Sequence, residues 1–177
     1  MKIKIKRLNK DINFPTIINK GEWIDLRASQ AVIMKGPQSG VLKRREVKGE
    51  TISTRDVTFY TAMIPLGVAM ELPKGFEALV LPRSGTFKNF GIIMANSEGI
   101  IDNSYSGNDD EWKFPAIAFR PTAINVEDRI CQFRIQLSQK ATMWQKLKWL
   151  FSSKIELVEV DNLNDENRGG FSSTGVK

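Results

Sequence analysis

Histidine is absent from this chain of 177 residues, and cysteine occurs once. The first absence excludes a Ser-His-Asp triad, a Cys-His pair and any His-ligated zinc site. The second excludes an internal disulfide and a multi-cysteine metal cluster, and the lone Cys131 suits a reducing cytoplasm, the expected location. No stretch approaches the roughly 18 uninterrupted apolar residues of a membrane span. The opening run, Met1-Lys-Ile-Lys-Ile-Lys-Arg-Leu, has no apolar core of the signal-peptide kind. Any chemistry must therefore come from carboxylates, Arg, Lys, Tyr, hydroxyls, backbone amides or a hard metal ion.

What is present describes an ordinary soluble globular protein, 41% hydrophobic and 26% charged, of a size that suits one domain with or without tails. The net charge of +6 favours an anionic partner, whether nucleic acid, a membrane surface or a small molecule, or else serves only a solvated face. Nothing repeats at a solenoid period and nothing is low in complexity.

Alternation at the start predicts a half-exposed strand with Ile3, Ile5 and Leu8 facing inward. Further strands are expected at 31–34, 57–64, 67–70, 77–81, 91–94, 114–119, 130–137 and 155–160, separated by Gly, Pro, Asn and Ser turn chemistry. Many short strands at this spacing predict an all-β sandwich, jelly roll or barrel. One helix is expected at 142–151, where Met143, Leu147, Leu150 and Phe151 recur at helical spacing for packing on the surface or at a subunit contact. The basic segment 39–55, with Lys43, Arg44, Arg45 and Lys48, is expected as an extended loop or exposed hairpin. By composition the chain divides into a β domain over 1–160 and a flexible C-terminal arm over 161–177.

Four segments carry possible chemistry. In 81–86, Arg83 and Ser84 offer donors beside a backbone that Gly85 leaves approachable, a small phosphate cradle or simply a turn. In 99–107, Asp102 and Tyr105 stand three residues apart on a hairpin. The carboxylate can orient a water and the ring can pack on a sugar or base, the alternative being an Asx-turn with Tyr105 as cross-strand packing. In 128–133, Gln132 points away from Cys131 and Phe133, toward a groove, and Cys131 is a core residue. The run Arg168-Gly-Gly-Phe-Ser-Ser-Thr-Gly makes a poor core but a suitable wrap for an anion.

In order and combination these segments resemble the five motifs of the trimeric dUTP pyrophosphatases (dUTPases), across nearly the whole chain. Trp23-Ile-Asp-Leu-Arg-Ala-Ser stands in the place of the first motif, Pro82-Arg-Ser-Gly of the second and 99–107 of the third. Arg129-Ile-Cys-Gln is similar to the fourth and the run from Arg168 to the fifth. The resemblance implies a distorted jelly-roll β fold with one inserted helix, a homotrimer with shared active sites, and hydrolysis of dUTP to dUMP and pyrophosphate with Mg²⁺ on the triphosphate. By the same resemblance, Asp102 positions the attacking water and Tyr105 packs under the deoxyribose. Gly99, Ile100 and Ile101, with Asn96 nearby and Lys113 at the far edge, read the uracil. Arg83, Ser84, Gly85 and Gln132 hold phosphates, while Arg168, Phe171, Ser173 and Thr174 close over the substrate. Asp25 supports the metal through water. Neither nucleic acid nor a membrane is an expected partner.

The chain departs from the family pattern at Glu22 and Trp23, at Ser172 where the family has Gly, and in the run Asn108-Asp-Asp-Glu-Trp112 that lengthens the hairpin. Segments 39–55 and 141–154 look like insertions. Two alternatives stay open: a dUTP-binding regulatory module acting on a protein partner, and a dCTP deaminase of the same fold.

Overall fold

The computed structural model describes residues 1–17, 21–151 and 154–170. Among the described residues, fourteen strands and two short helices form an all-β fold. Strand β8 (Phe76–Pro82) lies at the centre of a four-stranded sheet in the order β10 (Gly99–Asp102), β8, β13 (Arg129–Leu137), β2 (Ile24–Arg27). A second sheet joins β14 (Glu156–Glu159), β1 (Lys2–Arg7) and β7 (Val68–Glu71), and a third joins β6 (Tyr60–Pro65), β11 (Lys113–Ala118) and β9 (Ile92–Met94). Strand β3 (Val32–Met34) pairs with β12 (Thr122–Ile124). Among the described residues strand β4 (Gln38–Val47) pairs only with β5 (Glu50–Thr58), and every residue of the two is exposed, so segment 39–55 is the exposed hairpin and not a loop.

Strand periodicity explains the core. In β1, Ile3 and Ile5 are fully buried while Lys4 and Lys6 face outward, and in β11 Phe114, Ala116 and Ala118 are buried in strict alternation. Leu8, expected inward, is 38% exposed, because β1 ends at Arg7 and the chain turns there. The expected single strand over 57–64 is two, β5 and β6, broken at Phe59. Trp112 and Phe133, both fully buried, meet edge to face with ring centroids 5.3 Å apart.

The helix expected at 142–151 is present as α2 (Met143–Phe151), but it packs through an unexpected face. Trp149 meets Phe76 at 5.3 Å, and the Gln145 amide donates to the Lys74 carbonyl at 2.8 Å. Met143, Trp144, Leu150 and Phe151 stay exposed. A second helix, α1 (Thr86–Phe90), was not anticipated from the sequence: its five residues are too few for a readable periodicity. Among the described residues no helix is long and apolar enough to cross a membrane.

Phe133 fills the space between the central sheet and Trp112. Phe133→Ala is expected to lower unfolding stability by about 3–5 kcal/mol in urea denaturation, through lost burial and the cavity left behind.

Candidate active site

Two groups of predicted residues lie on the central sheet. The first surrounds the turn after β8. Strand β13 carries a bulge: Arg129 stands opposite Arg27 and Cys131 opposite Leu26, leaving Ile130 as the extra residue. The bulge explains why consecutive residues Ile130 and Cys131 are both buried. The Ile130 carbonyl accepts the Thr86 hydroxyl at 2.7 Å, and the same oxygen of Thr86 accepts the Arg83 amide at 3.0 Å. The Pro82-Arg83-Ser84-Gly85 turn is thereby tied to the neighbouring strand at its entry, and Asn89 N donates to the Gly85 carbonyl at 2.9 Å at its exit.

Gln132 stands opposite Leu81 on one side and Asp25 on the other, so these side chains share the outward sheet face. Both oxygens of Asp25 are engaged: Oδ1 meets Arg83 Nε at 2.7 Å and Oδ2 meets Arg129 Nη1 at 3.2 Å. The carboxylate expected to support a metal through water is the common partner of two guanidinium groups. Trp23, a departure from the family pattern, lies under the Arg134 guanidinium at 5.1 Å. Burial, and secondarily the Asp25 charge, pushes the Cys131 thiol up, so it is an inert core group as expected.

The second group is the hairpin after β10. Asp102 Oδ1 accepts the Ser104 amide at 2.8 Å together with the Ser104 hydroxyl, which is the Asx-turn raised by the sequence. Oδ2 faces Arg168, whose Nη1 lies 2.6 Å away. Partial burial opposes ionisation of Asp102, but the Ser104 hydrogen bonds and the Arg168 guanidinium outweigh it and hold the carboxyl below its ordinary value of 3.8. The anion therefore persists through neutral pH and is lost only as pH falls below that value. The Tyr105 hydroxyl donates to the Glu111 carbonyl at 2.9 Å. Burial, with Asp110 and Glu111 nearby, pushes it up to about 12 and keeps it neutral.

Residues 161–170, expected to begin a flexible arm, lie along this hairpin. Leu163 is buried at 4% exposure, and Gly107 bridges to Asp165. The approach is close. A Cβ at Gly107 would collide with the Asn167 amide oxygen, and one at Gly170 would stand 2.8 Å from the Tyr105 ring. Phe171, Ser173 and Thr174 lie outside the described residues.

Among the described residues Gly99, Ile100 and Ile101 pair with Val80, Leu79 and Ala78 on one side only, because β10 is the edge strand of its sheet. Asn96 sits in the turn leading to it, where Glu98 N donates to the Asn96 carbonyl at 2.6 Å. Lys113 opens β11 in a different sheet, opposite Pro65. Asp102 stands opposite Glu77, at the start of β8, whereas Arg83 follows the end of β8. Six residues of strand at about 3.3 Å each separate the two groups by roughly 20 Å. One chain thus brings Asp102, Tyr105 and Arg168 together, and separately Arg83, Asp25 and Gln132, but it does not bring the two groups together. Among the described residues no three His, Cys, Asp or Glu side chains are placed to hold a metal ion.

The dUTPase family model matches residues 51–175. The chain is 44% identical over 177 residues to the SPbeta prophage-derived deoxyuridine 5'-triphosphate nucleotidohydrolase of Bacillus subtilis (strain 168), with all of both chains covered. Its fold is similar to the dUTPase of Streptococcus mutans, with a TM-score of 0.58 at 13% identity over 78% of this chain and 98% of that one. It is also similar to a mutant dUTPase from phage phi11 of S. aureus, described as coordinating a structural Mg(II) ion, with a TM-score of 0.57 at 15% identity over 80% of this chain and 94% of that one. At these identities the two structures speak for the fold.

The buried Thr86 hydroxyl is the link between the bulge and the Arg83 turn. Thr86→Val keeps the shape, strands the Arg83 amide and the Ile130 carbonyl, and is expected to cost about 1–3 kcal/mol in urea denaturation.

Proposed function

The chain belongs to the dUTPase family, and we propose that it hydrolyses dUTP to dUMP and pyrophosphate by water attack on the α-phosphate. The observation that carries this reading is the Asp102 carboxylate, with one oxygen fixed by Ser104 and the other directed at Arg168, beside a sheet edge whose backbone groups are available to a ligand. In this reading Oδ2 of Asp102 orients the attacking water, and Arg168 neutralises phosphate charge. Phosphoryl transfer asks chiefly for positioning and charge neutralisation, which suits a chain without histidine.

The open edge of β10 at Gly99, Ile100 and Ile101, with Asn96, reads the uracil through main-chain groups, and Lys113 is assigned to its far side. Tyr105 packs under the deoxyribose. Arg83, Ser84, Gly85 and Gln132 hold the phosphates, and Phe171, Ser173 and Thr174 complete the closure. Hydrolysis of dUTP limits uracil incorporation into DNA and supplies dUMP for dTTP synthesis.

Mg²⁺ enters with the triphosphate as part of the substrate. It prefers oxygen ligands and retains several waters, so it asks for no protein cage. Asp25, whose oxygens meet Arg83 and Arg129, orients those guanidiniums toward the phosphates and supports the metal through water. A water held by Asp102 must lie about 3–3.5 Å from the α-phosphorus, so phosphates that reach Arg83 cannot belong to a site built from one chain. The site is therefore shared: one subunit supplies Asp102 and Tyr105, another supplies Arg83 and Gln132, in the homotrimer of the resemblance.

Pyrophosphate release with Mg²⁺ is expected from dUTP in preference to UTP, dCTP and dTTP, and Asp102→Asn is expected to lower kcat by about 10²–10⁴-fold. Ammonia release from dCTP, or binding of dUTP without turnover, would overturn the reading. Sharing has its own test. Asp102→Asn and Arg83→Ala chains, each inactive alone, are expected to recover about a quarter of wild-type activity when co-assembled, since random mixing restores one site in four. No recovery would place the whole site in one chain.

A further inference from the structure

Asp110 is a carboxylate at 1% exposure that none of the proposed chemistry uses. It belongs to the run 108–112, read in the sequence only as a lengthening of the hairpin. Its Oδ2 accepts the amides of Gly107 and Arg168, each at 2.9 Å, and its Oδ1 accepts the amide of Gly169 at 2.9 Å. One side chain thus joins the hairpin to two successive residues of the arm.

Its neighbours extend the attachment. Asn167 accepts the Asp109 amide at 2.8 Å and donates to the Asp109 carboxylate at 2.6 Å. Asn108 accepts the Leu163 amide at 2.9 Å and donates to the Leu163 carbonyl at 3.1 Å. The Ser106 hydroxyl donates to Asp165 at 2.7 Å. Among these contacts only those of Asp110 are accepted by a buried carboxylate, the setting in which amide-to-carboxylate bonds are strongest. An arginine side chain carries about 2 kcal/mol of rotamer entropy. Fixing the backbone on both sides of the Arg168–Gly169 peptide sets the point from which its guanidinium must reach.

We propose that Asp110 is the positioning residue of the arm, holding the Arg168–Gly169 backbone so that the guanidinium is delivered to Asp102 of the same chain and to the phosphates beside it. The proposal rests on the reading of Asp102 as the water-orienting carboxylate. Each acid of the run then has its own partner. Asp109 holds the Asn167 side chain, Asp110 the arm backbone, and Glu111 the Gly67 amide at 3.0 Å.

Asp110→Asn tests this in the full chain, since an amide NH2 must then face at least one of the three N–H donors. The expected kcat for dUTP falls on the order of 100-fold, as for a group displaced by about 1 Å. Hydrogen exchange at the Arg168 and Gly169 amides is expected to accelerate. The acid limb of kcat/KM is expected to move up toward the ordinary aspartate value, because the guanidinium that holds Asp102 down is no longer delivered. Arg168→Ala with Asp110→Asn is expected to be no slower than Arg168→Ala alone, since the second residue acts through the first. Wild-type kcat in Asp110→Asn, or losses that simply multiply in the double variant, would overturn the proposal. Full turnover by Asp102→Asn would instead remove the reading beneath it. If Asp110→Asn folds too poorly to assay, the exposed Asn167→Ala decides: slower turnover with faster exchange at Arg168 supports the proposal, and wild-type turnover overturns it.

Discussion

Strand β8 sets the distances on which the rest of the structure depends. It pairs with β10 along its first half and with β13 along its whole length, so the hydrogen-bonded register fixes where each functional group stands. Asp102 is opposite Glu77, Gln132 is opposite Leu81, and the Arg83 turn follows the last residue of the strand. A one-residue slip in either pairing would send every outward side chain to the core face, and the placing of Phe76, Ala78 and Val80, but not Leu79, in the core cluster forbids that. The separation between the Asp102 end and the Arg83 end is thus a property of the sheet, beyond the reach of a side-chain rotamer. In the proposed reading, where both ends serve one substrate, that separation is what calls for a shared site.

Each end solves its local problem with backbone chemistry. At the phosphate end, the bulge at Ile130 presents a carbonyl that the regular ladder would have used, and Thr86 converts it into an anchor for the Arg83 amide. The two guanidiniums, left to repel each other, converge because Asp25 lies between them. At the other end, glycine at 107 and 170 lets the returning chain lie against the hairpin and the Tyr105 ring. The residue types there are small or acidic because the partner to be held is main chain, which offers N–H donors and little room.

The legible part of this structure was the part governed by periodicity and by local residue chemistry. The alternation around Ile3 and Ile5, the opposed orientation of Gln132 and its flanking residues, and the helix at 142–151 all followed from spacing. Direction of packing did not. Met143, Leu147 and Leu150 form an apolar stripe, yet α2 attaches through Trp149 and Gln145, because a large ring that meets Phe76 outweighs the stripe. Asp25 was assigned to the metal only through the family resemblance, and its ion pairs were not legible in the spacing. The cations it meets are arginines distant in sequence, brought in by β8 and β13. Asp109, Asp110 and Glu111 are alike on paper, and only the fold turns the middle one inward onto three amides.

The absence of histidine acquires a mechanistic sense from Asp102. A carboxyl held below its ordinary value is a weak proton acceptor at neutral pH, so it contributes little driving force for removing a proton from water. What it can contribute is a fixed negative oxygen that aligns the nucleophile, and its Ser104 bonds secure that alignment. In the proposed reaction the larger share of rate acceleration comes from cancelling charge on the triphosphate, a task assigned to arginines and the accompanying metal ion. An imidazole poised near pH 7 would add basicity where a loose, charge-spread transition state asks for little of it. In that reading the buried hydrogen bonds behind Arg168, and the Asp25 junction behind Arg83, match the demand, because both place positive charge.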